Sequence, residues 1–369
     1  MSSFSYQLPE SLSFDNHLDV EKDILDKAGD HQYDEFVLDA SKTRYISSAG
    51  LRIILSLKKK YGNVIVINTS TEVYDIFHMT GFTNIIKVEK ALRRVSIAGC
   101  PLIGKGAHGT VYSLAPDTIV KIYEEGALLD EISNERELSK KAFVLGLPTA
   151  IALDTVKVDD KYGIVFELLN AHNCVNYIKR DQKHLDEYID KAVVLLKKIH
   201  QIPINDGSLP SIKPKVLRYI DNVKRYLNDD EYQTLLKVVN DIPDSHFLVH
   251  GDFHLKNQLM CGDDLMLIDM DTLCVGDTIF DLATICYAYY SLSLVNEEVV
   301  TNFLDLPLET CHYLWKEIAK KYWSDNQCEE RTRQAELIAS VHAAYYYIKR
   351  NYAQEYIDKG INNLKQLLK

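Results

Sequence analysis

A glycine-rich stretch, Gly104-Lys105-Gly106-Ala107-His108-Gly109, lies between two strand-like runs, and this restricts the fold more than any other feature of the chain. Glycines in such a run let successive backbone N–H groups approach phosphate oxygens, because no Cβ intrudes. Dinucleotide-binding folds use a similar spacing, but there a helix follows directly. Here Thr110-Val111-Tyr112 leads to a turn at Ala115-Pro116-Asp117 and then to a second apolar run, Ile119-Val120-Lys121-Ile122-Tyr123. The order strand, glycine loop, strand, turn, strand predicts a small antiparallel sheet and argues against the dinucleotide arrangement. With the turn centred on Pro116, Lys121 faces Val111 across the hairpin and lies beneath the glycine loop. A lysine flanked by Ile119, Val120 and Ile122 is an uncomfortable solvated residue. Glu131 to Leu145 reads as a helix stopped by Gly146-Leu147-Pro148. It offers Glu135 as the partner that orients Lys121, with Glu137 as its competitor. Ile164 to Leu169 reads as a buried strand whose end, Glu167-Leu168-Leu169, presents backbone groups to an adenine edge.

A second segment with chemistry runs from Leu248 to Asp281. It reads Leu-Val-His-Gly-Asp-Phe-His-Leu-Lys-Asn, later Leu-Ile-Asp-Met-Asp, and finally Gly-Asp-Thr-Ile-Phe-Asp-Leu-Ala. His250 to Lys256 should form a loop at the carboxyl end of a short buried strand, with Asp252 facing solvent or substrate. Gln258 to Cys261 and Leu265 to Ile268 flank Gly262-Asp263-Asp264 and read as a hairpin with a three-residue loop. A loop centred on Asp263 sets Asn257 opposite Asp269, with Cβ atoms about 5 Å apart. That spacing suits one hard cation shared by an amide oxygen and a carboxylate. Taken singly, these are ordinary turn residues that bond their own backbone. Together they supply a general base, Asp252, and two magnesium ligands, Asn257 and Asp269, which is most of what phosphoryl transfer requires. Asp271 reads as a solvated turn carboxylate, with a further metal or substrate contact as the alternative.

The 369 residues suggest two or three domains, and the charged run Glu89 to Arg94 marks the best boundary. The net charge of −11 argues against a general nucleic-acid binder. No apolar run approaches the roughly 20 residues of a membrane helix, and the amino terminus shows no signal-peptide pattern. A cytoplasmic protein is the expectation. Its seven scattered cysteines then serve as reduced, mostly apolar residues.

In the first 95 residues strands alternate with helices. Glu35 to Leu38, Asn63 to Asn68 and Ile85 to Val88 read as strands. A helix carries Leu51, Ile53, Ile54 and Leu57 on one face, and another spans Glu72 to Thr80. Val37-Leu38-Asp39-Ala40, Tyr45 to Arg52, Val64 to Asn68 and Met79 to Phe82 resemble the STAS domain of anti-sigma factor antagonists. The resemblance implies a regulatory or partner-binding domain over residues 1–95 and a phosphosite at Ser48. Ser47 or Ser48 is equally placed to cap the helix, and Ser48 is read as a plain N-cap ahead of a phosphosite.

Residues 96–369 resemble the aminoglycoside and choline phosphotransferase branch of the protein-kinase-like fold. The motifs stand in that family's order: glycine loop, Lys121, Glu135, His250-Gly-Asp252 with Asn257, Asp269, and Asp281-Leu-Ala. The resemblance implies an α+β fold with a small, mainly antiparallel N-lobe, about 96–169, and a helical C-lobe, about 170–369. It further implies ATP and Mg2+ as cofactors, with Gly104, Gly106, Gly109, Val111, Lys121, Glu135, Glu167 and Leu169 at the nucleotide. His254 stands where protein kinases carry lysine, and Asp269 is followed by Met-Asp rather than Phe-Gly. The short interval to Asp281 leaves no room for an activation segment, so a small-molecule hydroxyl or amine is the favoured acceptor. Two alternatives stay open: a serine kinase acting on a STAS domain in cis or trans, and a nucleotide-binding scaffold without turnover. Tyrosines at 287, 289, 290, 345, 346, 347, 352 and 356 read as core packing ahead of an aromatic cage for a cation.

Overall fold

The computed structural model describes residues 2–106, 109–323 and 328–369, so Ala107 and His108 of the glycine loop lie outside the described residues. The chain divides into two compact units, residues 1–96 with 156–160 and residues 97–155 with 161–369.

The first unit is built on four parallel strands in the order Ser3–Gln7, Glu35–Asp39, Val64–Thr69, Lys87–Lys90. Parallel neighbours need crossover connections, and the helices His17–Ala28, Ser48–Tyr61 and Thr71–Met79 supply them. Phe36, Leu38, Val64 and Val66 meet Ile54, Leu57 and Tyr61 in its core, where the Phe36 and Tyr61 rings stack at 4.4 Å. Gly50 is required by close packing, since a Cβ there would lie 2.7 Å from the Leu12 side chain. Two elements escape a purely local reading. Ser3–Gln7 alternates between exposed and half-buried residues, and His17–Ala28 buries only Val20, Ile24 and Ala28.

The capping expectation for Ser48 is corrected. Ser47 is the N-cap, with extended backbone at φ −87° and ψ 173°, and its hydroxyl accepts from the Gly50 N–H at 3.4 Å. Ser48 is the first helical residue and is exposed. The cap goes to Ser47 because its extended backbone lets the hydroxyl turn back onto the first turn of the helix.

The second unit combines a twisted sheet with a helical part. Its sheet runs Ala152–Val158, Lys161–Glu167, Thr118–Tyr123, Gly109–Ala115, Leu102–Lys105, with the Leu129–Val144 helix between the third and first of these in sequence. Thr118–Tyr123 pairs antiparallel with both of its neighbours. In the helical part, Gln182–Ile199, Lys213–Val223, Asp229–Asp241, Leu308–Tyr322 and Cys328–Lys349 surround the buried helix Ile279–Cys286. Every residue of that helix is buried, and it runs on into a π-helical turn, Tyr287–Ser291. Asp229–Asp241 starts with a reciprocal cap between Asn228 and Glu231. No described helix is long and apolar enough to cross a membrane.

Candidate active site

Two hairpins and the loop before one of them bring the candidate residues together. In the first, Pro116 and Asp117 form the turn and Ala115 pairs with Thr118. One extra residue on the first strand, Leu114, then shifts the ladder so that Ser113 pairs with Ile119 and Val111 with Lys121. Val111 also pairs with Gly104 on its other side. Gly109 is glycine for a packing reason, because a Cβ would lie 2.2 Å from the Ile122 carbonyl oxygen. Gly104 and Gly106 differ: among the described residues an added Cβ would meet nothing within 4 Å at the first and only the Gly109 oxygen at 3.8 Å at the second.

Lys121 donates to Glu135 at 2.8 Å and to Asp269 at 3.1 Å. Its side chain is only 15% exposed. Burial pulls the ammonium down, but Asp269 and Glu135 together hold it above its ordinary value. Glu135 is buried in the Leu129–Val144 helix, whereas Glu137 is solvated and holds Arg136 and Lys140. The carboxylates of Glu135, Asp269 and Asp271 offer oxygens within 4.8 Å of one another. Asp271 keeps an exposed surface, yet its carboxyl is pushed up to about 6 by burial and by Asp269 and Glu135. That exposed surface fits a turn carboxylate, and its place beside Glu135 and Asp269 also keeps the metal or substrate contact open. Tyr123, two residues beyond Lys121, packs its ring 5.1 Å from the Lys121 ammonium, and its hydroxyl is held far above the usual range, first by burial and then by Glu135.

At the strand end, Glu167 and Leu168 commit their N–H groups to Ile151 and Asp117 carbonyls at 3.0 and 2.8 Å. The Glu167 side chain turns back to the Ile151 N–H at 3.4 Å. Leu169 accepts from Ala171, and among the described residues its own N–H makes no backbone hydrogen bond.

The second hairpin corrects the expected register. Gly262 and Asp263 alone form its turn, with Gly262 at φ 60°, and Cys261 pairs with Asp264. No extra residue follows, so Gln258 faces Leu267 and the Asn257 carbonyl accepts from Ile268 at 2.9 Å. Asn257 is thus opposite Ile268, not Asp269. Asp269 leaves the ladder with φ 65°, a left-handed conformation uncommon outside glycine, and this is how its carboxylate reaches Lys121. Asn257 belongs to a short 3-10 turn, Leu255–Asn257, and donates to Asp252 Oδ2 at 2.9 Å and to the Asp252 carbonyl at 3.0 Å.

The loop around Asp252 is clamped from below. Asp281, fully buried, accepts from the His250 and Gly251 N–H groups at 2.9 and 2.7 Å and pairs with His200 Nε2 at 3.0 Å. Tyr322 meets the other His200 nitrogen at 2.7 Å. Burial would raise the Asp281 pKa, but His200 and the His250 N–H outweigh it and hold the carboxyl low. Gly251 sits at φ 78°, and a Cβ there would lie 2.6 Å from the Thr272 carbonyl oxygen. Thr272 itself donates to the His250 carbonyl at 2.8 Å. Further support comes from Tyr289, which accepts from the Leu255 N–H at 2.9 Å, and from Tyr188, which donates to Gln258 at 2.6 Å. Stranding any one of these buried groups would cost about 1–3 kcal/mol. Burial raises the Asp252 pKa, but His254, His250 and Asn257 drive it well below the usual carboxylate range.

The tyrosines do not form a cage. Tyr289 and Tyr347 are fully buried. Tyr345, Tyr219, His342 and Tyr287 stack in a column with centroid spacings of 4.7, 4.4 and 3.7 Å, so the inner rings turn their faces to one another. His342 is pushed down to about 3 by burial and by Lys215.

Residues 99–305 match the phosphotransferase enzyme family, and residues 4–95 match the STAS domain. The chain belongs to the phosphotransferase enzyme family. No curated protein matches it significantly. Among solved structures, the phosphotransferase resembles amicoumacin kinase in complex with AMP-PNP, Ca2+ and Ami, at 12% identity over 79% of this chain and 92% of the other, with TM-score 0.50. It also resembles the GDP complex of a mutant aminoglycoside 2'-phosphotransferase IIIa, at 13% identity over 80% and 96% of the two chains, with TM-score 0.50. The ADP-bound aminoglycoside phosphotransferase 2''-Ib is 20% identical over 72% and 91%, with TM-score 0.49. The first two similarities, each with TM-score 0.50, establish the kinase-like fold, preceded in this phosphotransferase by a STAS domain.

Sequence reasoning missed His200, Tyr322, Thr272, Tyr188 and Tyr289 as supports of the Asp252 loop. No local signal marks them: Thr272 lies in the turn after the second hairpin, and the other four are carried on helices or at a helix end, remote from the loop in sequence.

Proposed function

We propose that the chain transfers the γ-phosphoryl group of ATP, with magnesium, to a hydroxyl or amine of a small molecule in the cytoplasm, under the control of its STAS domain. The observation that carries this reading is the meeting of Lys121, Glu135 and Asp269 from a strand, a helix and a loop. Lys121 steadies the nucleotide phosphates and Glu135 fixes its ammonium. Among the described residues, nothing in the packing requires Gly104 or Gly106 to be glycine, which supports close approach of phosphate to that backbone. Val111 gives the nucleotide an apolar neighbour, and the Leu169 N–H and Glu167 carbonyl face the base edge.

Hard oxygen donors within 4.8 Å of one another fit magnesium. Asp269 would hold the ion, with Asn257 through its amide oxygen, because the Asn257 amide nitrogen is already given to Asp252. When bound, magnesium neutralises charge on the phosphate oxygens. Asp252 orients the acceptor and takes its proton as the acceptor oxygen or nitrogen bonds the γ-phosphorus and the bond to the β-phosphate oxygen breaks, releasing ADP. Positioning and charge stabilisation do most of the work in such sites.

The short path after Asp269 supports a small acceptor. Cys274–Val275 pairs back onto Leu248–Val249, and the next helix starts at Ile279. One observation favours a second reading, a serine kinase acting on a STAS domain: Ser48 is exposed while Ser47 does the capping. Incubation with γ-labelled ATP and a panel of aminoglycosides, choline-like alcohols and sugars separates the two. Label in a small product supports the first reading, and label in protein that disappears in Ser48→Ala supports the second. An Asp252→Asn variant that transfers label at the wild-type rate would refute both.

A further inference from the structure

His254 sits two residues beyond Asp252, buried at 7% exposure, with both ring nitrogens engaged. Nδ1 accepts from the Lys256 N–H at 3.2 Å. A backbone N–H can only donate, so the neutral ring must carry its proton on Nε2. That nitrogen lies 3.3 Å from Asp252 Oδ2. The Asn257 amide donates to the same oxygen at 2.9 Å. Among the described residues no hydrogen bond reaches Asp252 Oδ1. The ring is held from the outside as well, because Phe303 meets it edge-on at 5.2 Å and 87°. The backbone behind Asp252 is fixed independently, since the Asp252 N–H donates to His250 Nδ1 at 3.3 Å.

We propose that His254 is a positioning residue for phosphoryl transfer: its Nε2–H, together with Asn257, loads Asp252 Oδ2 and presents Oδ1 to the acceptor. An unloaded carboxylate rotates about its Cβ–Cγ bond and offers either oxygen. Two donors on one oxygen stop that rotation and draw electron density from it, so the acceptor hydroxyl meets the oxygen that carries no other donor. The proton of the acceptor then goes to Oδ1, while His254 keeps its own. The inference rests on the reading of Asp252 as the general base.

The test uses the full-length chain and four forms: wild type, His254→Gln, His254→Ala and Asp252→Asn. Imidazole 15N spectra, assigned with His254→Gln, need no acceptor. They should show the Nε2-protonated tautomer, with a signal that moves in Asp252→Asn. The Nδ1-protonated tautomer would overturn the proposal. In turnover with Mg-ATP and the acceptor that takes label, His254→Ala should lower kcat by up to about 100-fold and leave the nucleotide KM unchanged. His254→Gln keeps a donor near the Nε2 position and should restore most of kcat. Wild-type kcat in His254→Ala beside an inactive Asp252→Asn would overturn this inference alone. So would a folded, nucleotide-binding His254→Gln as slow as His254→Ala. Wild-type turnover in Asp252→Asn would instead remove the base assignment, and this inference with it.

Discussion

The two hairpins that frame the site differ by one residue near the turn, and each delivers its chemical group in a different way. Both close with a two-residue turn, Pro116-Asp117 in one and Gly262-Asp263 in the other. In the first, Leu114 bulges beside the turn, and beyond it Lys121 pairs with Val111 in a regular ladder. In the second nothing bulges, Asn257 falls opposite Ile268, and Asp269 has to leave the ladder at φ 65° to reach the site. Regular pairing delivers the lysine of the first hairpin. The carboxylate of the second depends on broken pairing.

The comparison can be broken at several strengths. The loop before the second hairpin carries the proton transfer, so Asp252→Asn should have the largest effect, a fall in kcat on the order of 10²–10⁴-fold in the label-transfer assay. A smaller loss there than in Lys121→Ala would reverse the ranking. Lys121→Ala leaves two neighbouring carboxylates without their cation, and denaturant titration should show a loss on the order of 3 kcal/mol with weakened nucleotide binding. The glycines come next. Gly251→Ala forces both a left-handed backbone and a clash with the Thr272 carbonyl, and should cost at least about 1–3 kcal/mol. Gly104→Ala meets no atom of the described residues within 4 Å, so its melting temperature should stay at the wild-type value while nucleotide affinity falls. Equal destabilisation by both would contradict the distinction between packing glycines and ligand-facing ones. The smallest effect belongs to deletion of Leu114, which closes the ladder from Ala115 directly to Ser113 without moving Val111 from Lys121. Nucleotide affinity should survive it, and its loss would show that the bulge itself positions Lys121.

Much of this was legible before the structure. The glycine loop followed by a strand points away from a dinucleotide fold, and the buried run around Lys121 marks a lysine with a task. Strand and helix patterns in the first 95 residues match the elements found there, with boundaries shifted by a residue or two and Ser3–Gln7 and His17–Ala28 overlooked. What could not be read is what depends on geometry finer than periodicity. Turn residues Gly262-Asp263-Asp264 do not say whether two or three of them form the loop. Two adjacent serines do not say which has the extended backbone that caps the helix. The clamp formed by Asp281, His200 and Tyr322 joins residues some 40 to 120 positions apart, and no local pattern carries such a contact. The column of Tyr345, Tyr219, His342 and Tyr287 likewise exists only once two helices and a π-helical turn are packed.

The most direct test of the central claim, that Lys121, Asp269 and their neighbours form a magnesium–nucleotide site, is calorimetric binding of a non-hydrolysable ATP analogue with and without magnesium. Wild type should bind more tightly with magnesium, and Asp269→Asn should lose most of that gain while keeping its fold. Wild-type binding indifferent to magnesium, or an unchanged magnesium gain in Asp269→Asn, would contradict the account.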